Sequence, residues 1–198
     1  MKTERRARVK NYLKTHFPKT VWLFSNLLRG NIRGLYDAFQ RRERRCSFGS
    51  ANPDKVFYVI RWDRQVSALM GLVVQVLGNI RYAEEKGWIP VVDFQHSDNW
   101  YLYDKGGKRG DFNTWERFFE PVSPYTLNEV YQSHHVVLGS TNMRLAVPSV
   151  EDLAKFGDAY CFWNKLSQKY LRPSAEVLAI LEERIFPVVS PDLLAKSG

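Results

Sequence analysis

Five consecutive residues, Val56-Phe57-Tyr58-Val59-Ile60, are β-branched or aromatic, the pattern of a strand buried on both faces. The period then changes. From 71 to 86 the apolar positions Leu72, Val73, Val76, Leu77, Ile80 and Ala83 fall three and four apart, which predicts a helix with one buried side. Gly87 is placed to end it. Ile89-Pro90-Val91-Val92-Asp93-Phe94 reads as a second buried strand, with Pro90 near its start where a missing donor is tolerated. Strand, helix and strand in about forty residues match a parallel crossover unit.

Farther along, a short helix is expected over 113–119, broken by Pro121 and Pro124, with the stripe Trp115, Phe118 and Phe119 facing a core. A helical turn over 127–131 and a third strand over 135–139 follow. Ser149 is expected to cap a helix running to Tyr170, and Pro173 to open another that reaches Phe186. The fold class expected is α/β, a Rossmann-like open sheet with flanking helices.

Charge divides the chain. Residues 1–46 hold 13 Lys/Arg against Glu4, Asp37 and Glu43, so an excess of ten cations sits in this stretch. The chain total is +8, which leaves the remainder near −2. The expected organisation is a basic amphipathic appendage over 1–46, a turn-rich linker over 47–54 and an α/β domain over 55–198. In the appendage, Val21 to Phe24, Leu27, Leu28, Ile32, Leu35, Tyr36 and Phe39 recur at roughly helical spacing, although Gly30 and Gly34 weaken one long helix. Such a segment either packs on the domain or lies on an anionic bilayer. Basicity confined to an appendage, with no recognition motif, argues against nucleic acid as the partner.

Cys46 and Cys161 have neither metal nor redox-pair spacing and fit a reducing compartment. With no signal-peptide pattern and no long apolar run, a cytoplasmic protein is expected, peripheral to the inner membrane face if the appendage binds lipid. Nucleophile-elbow, phosphate-loop and Cys-x-x-Cys motifs are absent from the sequence. His134 and His135 have no partner at metal spacing and read as core or edge histidines.

Ligands of open α/β sheets bind beyond the carboxyl ends of the strands, which selects two loops. The first, 61–71, contains Arg64, Gln65 and Gly71 and leads into a helix N-terminus suited to phosphate. Gln75 and Asn79 on that helix extend the candidate substrate-binding set. The second loop, 95–101, mixes His96, Asn99 and Trp100, polar groups and a ring face that suit a sugar. An ordinary surface loop has the same composition. Asp93 at the strand edge reads either as a hydrogen-bonded structural acid or as a ligand contact. Asp93 and His96 are the candidates for taking a proton from an acceptor hydroxyl.

The tract Val76-Leu77-Gly78-Asn79-Ile80-Arg81-Tyr82-Ala83-Glu84-Glu85-Lys86-Gly87-Trp88-Ile89-Pro90-Val91-Val92-Asp93 is similar to the N-terminal domain of fucosyltransferase-like glycosyltransferases of bacterial surface-polysaccharide synthesis. Asn113-Thr114-Trp115-Glu116-Arg117-Phe118-Phe119-Glu120-Pro121 and Ser123-Pro124-Tyr125-Thr126-Leu127-Asn128-Glu129-Val130-Tyr131 resemble the same family's next segment. The resemblance spans roughly residues 55–171. It implies a GT-B architecture, with a nucleotide sugar held between two Rossmann-like domains and no metal or other cofactor. It further implies hexosyl transfer, fucosyl from GDP-fucose, to the hydroxyl of a glycan or lipid-linked glycan.

Two departures qualify that expectation. The family's His-x-Arg motif does not occur before Gly198, so the donor-binding half is expected to be missing and the chain to be a fragment or truncated form. Leu69 and Met70 also stand where the family carries small residues. The alternative is a non-catalytic, membrane-associated scaffold or binding domain with a degenerate glycosyltransferase fold.

Overall fold

The computed structural model describes residues 12–32, 35, 38, 39, 41–62, 68–97, 101, 108, 110–141 and 148–185. The chain divides into two compact units, Met1–Arg42 and Glu43–Gly198.

In the first unit, residues 12–16 are helical and α1 spans Pro18–Leu28. Pro18 occupies its first turn, where an amide hydrogen would have no partner. Gly30, at φ +66°, ends the run in a left-handed conformation that costs glycine little. The Asn31 side chain donates to Asn26 Oδ1 at 2.8 Å and locks this end. The expected apolar periodicity is thus realised as short helices.

The second unit is α/β. Its four-stranded open mixed sheet contains β1 (Arg44–Cys46), β2 (Ala51–Arg61), β3 (Ile89–Asp93) and β4 (Ser133–Leu138), in the order β1-β4-β2-β3. β2 runs parallel to both β3 and β4, and β1 pairs antiparallel with β4. Between β2 and β3 lies α2 (Leu69–Glu85), ended by Gly87 at φ +68°. The strand–helix–strand unit expected from periodicity is therefore present.

Residue alternation sorts the sheet's two faces. Tyr58, Ile60, Val92 and Val137 meet Leu72, Val73, Val76, Leu77, Ile80 and Ala83 of α2 in one core. Phe57, Val59, Val91, Val136 and Leu138 form the other, covered by Val130 of the short α3 (Leu127–Val130). Complete burial of a side chain such as Ile80 contributes about 1.5–3 kcal/mol.

Four expectations are corrected. Arg44–Cys46 belongs to the sheet, because a three-residue edge strand needs only backbone partners, here Leu138, Val137 and Val136. Ala51 already begins β2, where a register shift between Ala51 and Val56 and Asn52 at φ 47° absorb the turn-forming residues in a bulge. Residues 114–118 form turns instead of a helix, and Phe119 bridges to Pro173. The helix after Ser149 stops at Gly157, φ +88°, dividing it into α4 (Val150–Phe156) and α5 (Ala159–Tyr170). Asp158 then caps α5 by accepting from the Cys161 amide at 2.7 Å. Ser174 caps α6 (Ala175–Ile180), which continues as a π-helical turn over Leu181–Ile185. Phe186 lies outside the described residues.

Among the described residues, the outer edge of β3 is met by a side chain instead of a strand. Asn113 donates through Nδ2 to the Val92 carbonyl at 2.8 Å and accepts through Oδ1 from the Phe94 amide at 3.1 Å.

Candidate functional site

β3 ends at Asp93, whose side chain is buried beneath the following turn. One carboxylate oxygen accepts from the amides of Gln95 and His96 at 3.1 and 2.9 Å. The other accepts from the Tyr131 hydroxyl at 2.5 Å. His96 Nδ1 lies 3.0–3.1 Å from both oxygens. Because those oxygens only accept, Nδ1 carries the hydrogen in this pairing, and in the neutral imidazole Nε2 presents its lone pair. The His96 side chain is 50% exposed, and Nε2 has no hydrogen-bond partner among the described residues.

The turn carrying His96 is pinned. Ser97 Oγ donates to the Asp93 carbonyl at 3.1 Å and accepts from the Trp62 amide at 3.3 Å. Gln95 exchanges two hydrogen bonds with Gly110, at 2.7 and 2.8 Å. The imidazole is thus held by its backbone and by Asp93 together, the pre-organisation that proton transfer requires.

Tyr131 completes the cluster. It follows α3, and its ring makes edge contacts with His96 at 5.7 Å and Phe48 at 5.1 Å. Burial pushes its phenol well above the usual range, and the adjacent Asp93 carboxylate pushes it further. It therefore remains a donor, holding Asp93 from the side opposite the turn.

β2 is central: the chain leaves it through α2 to β3 on one side and later returns to β4 on the other. The carboxyl ends of β2 and β4 thus form a topological switch point. Arg61 spans it, donating through Nε and Nη2 to the Gly139 carbonyl at 3.2 and 2.9 Å. Its Cα is paired with that of Asp93 across the ladder. Next to the β3 edge, a cavity of about 480 Å³ is lined by Gln95, Asn113, Glu116, Ser123, Tyr125 and Asn128, among others. The size falls within the range of small-ligand clefts.

Of the residues nominated from sequence, the structure brings together Asp93 and His96. Gly71 lies in the first turn of α2. Gln75 and Asn79 are buried within the helix–sheet core, a correction to their assignment as substrate contacts. Asn79 accepts from the Tyr58 hydroxyl at 3.0 Å and donates to the Gln75 carbonyl at 2.8 Å, so its polar groups serve the interior. Arg64, Gln65, Asn99 and Trp100 lie outside the described residues. His134 and His135 are exposed at the amino end of β4, with ring nitrogens 3.1–3.2 Å apart.

Sequence reasoning missed Tyr131 and Arg61 as members of the cluster. Arg61 could have been found from its position at the strand end. Tyr131 carried no such signal, since 38 residues separate it from Asp93. No group of three or more His, Cys, Asp or Glu suited to a metal occurs among the described residues.

Fold and site together define an open-sheet α/β domain with an oriented Asp–His pair at a strand's carboxyl end. No protein-family model, curated protein or solved structure matches the chain.

Proposed function

We propose that the 43–198 unit belongs to a glycosyltransferase that transfers a hexosyl group, in the first instance fucosyl from GDP-fucose, to a glycan hydroxyl. The observation that carries this reading is the Asp93–His96 pair, oriented through Nδ1 and open at Nε2. An acceptor hydroxyl at Nε2 passes its proton to the imidazole as its oxygen bonds to the anomeric carbon. The bond from that carbon to the nucleoside diphosphate breaks, and the diphosphate leaves with the electron pair. Asp93 stabilises the imidazolium so formed, and Tyr131 steadies Asp93. The neighbouring cavity, with its amide, carboxylate and aromatic lining, has the chemistry to receive a sugar. The family resemblance of residues 76–93 and 113–131 supports the same substrate class.

The test uses the chain and the longest product of its reading frame, with GDP-fucose and a panel of glycan acceptors. Transfer is expected to fall about 100-fold or more in His96→Ala, with GDP affinity unchanged. Absence of both GDP binding and transfer in both proteins overturns the reading.

A further inference from the structure

The α1 segment has a composition that the proposed chemistry does not use. Every residue of α1 is at least partly exposed, yet it carries Trp22, Leu23, Phe24, Leu27 and Leu28 in eleven positions. Leu28 is 87% exposed and Phe24 59% exposed, and Tyr12 and Phe17 just before them exceed half. At 100° per residue, Leu23, Leu27, Phe24, Leu28 and Val21 share one side of the helix. Trp22, Lys19 and Asn26 lie on the other. Apolar surface of this kind on a short helix marks a contact.

Charge selects its partner. Between Arg5 and Tyr36 the sequence contains eight Lys/Arg and not one Asp or Glu. Lys14 and Lys19 lie in the described helices and Arg29 follows α1 as its C-cap. Long basic side chains beside an apolar strip can reach phosphates while their stems remain in the hydrocarbon boundary. The eleven residues of α1 extend about 16 Å, roughly half a bilayer's ~30 Å core. Among the described residues no helix is long and apolar enough to cross a membrane.

We infer that residues 12–32 form an interfacial segment that docks on an anionic lipid bilayer, α1 lying in the headgroup plane with Leu23, Phe24, Leu27 and Leu28 directed into the lipid. This is independent of the proposed transfer reaction.

The test is co-sedimentation of the full chain with two vesicle types, phosphatidylcholine alone and phosphatidylcholine with roughly 30% phosphatidylglycerol. Partitioning is expected to be at least about ten-fold stronger on the anionic vesicles and to weaken as salt rises from about 0.1 to 0.5 M. The double variant Phe24→Asp/Leu28→Asp, altered at exposed positions, should lose at least about ten-fold in partitioning with its thermal unfolding unchanged. Equal binding to both vesicle types, or binding undiminished in the double variant, overturns the inference. So does a chain that ignores vesicles and retains a short DNA duplex or self-associates through the same face.

Discussion

The Tyr131 hydroxyl and the Asp93 carboxylate meet at 2.5 Å across 38 residues of sequence, and this contact ties the segment after α3 to the end of β3. A hydrogen bond to an ionised partner is worth about 1.5–3 kcal/mol. Tyr131→Phe keeps the ring contacts with His96 and Phe48 and removes only that bond. Urea unfolding should show a loss of about 1.5–3 kcal/mol.

Asp93→Ala should destabilise more than Tyr131→Phe. It strips a buried acceptor from two amides, a phenol and an imidazole, and unsatisfied buried donors cost about 1–3 kcal/mol each. If Asp93 also orients the base, Asp93→Asn should lower transfer while His96→Ala lowers it without a matching stability loss. Paired unfolding and rate measurements on the two variants separate these effects.

Alkaline pH should destabilise the 43–198 unit. Burial raises the Tyr58 phenol above its ordinary value, with the Glu43 charge adding to it, and burial and Asp93 raise Tyr131. Below the unfolded value of about 10 both are protonated in both states, so the stability they contribute is fully present. Above it the unfolded chain loses its phenolic protons first. Stability then falls by up to about 1.4 kcal/mol per pH unit for each tyrosine, until the folded value is passed. Denaturant midpoints above about pH 10 should drop, and less steeply in Tyr131→Phe.

Asn79→Ala should cost about 1–3 kcal/mol from the stranded Tyr58 hydroxyl, with a further loss from the space left in the core. Denaturant unfolding measures it. Full stability in this variant would return Asn79 to the list of surface-directed groups.

Gly139→Ala probes the switch point. An added Cβ would stand 2.8 Å from the Val59 carbonyl oxygen and 2.9 Å from the Tyr58 hydroxyl, which are closer than packing permits. A loss of about 1–3 kcal/mol is expected in thermal or urea unfolding.

The unit from β2 to β3 was legible because both strands are buried and α2 is amphipathic, so hydrophobic period and structure agree. The strand Arg44–Cys46 was not, since its side chains advertise charge while its backbone does the pairing. The first residues of β2 misled for a related reason: Asn52 and Pro53 favour turns, and here they sit in a bulge. Asp93 and His96 could be nominated from their place at a strand end, and their proximity follows from local turn geometry. Gln75 and Asn79 failed as surface contacts because polarity on a helix does not say which side it faces. Asn79 faces inward, where it accepts from the Tyr58 hydroxyl on the sheet opposite.

The Asn113 side chain at the outer margin of β3 has a consequence for how this molecule meets its own copies. An open sheet offers its free carbonyls and amides to any extended chain that drifts past, and that is how such sheets polymerise. With the Val92 carbonyl and Phe94 amide already engaged by one amide group, that margin is a poor template. Asn113→Ala would free both groups, and concentration-dependent fibril growth should accompany the lower melting temperature that losing these buried bonds brings.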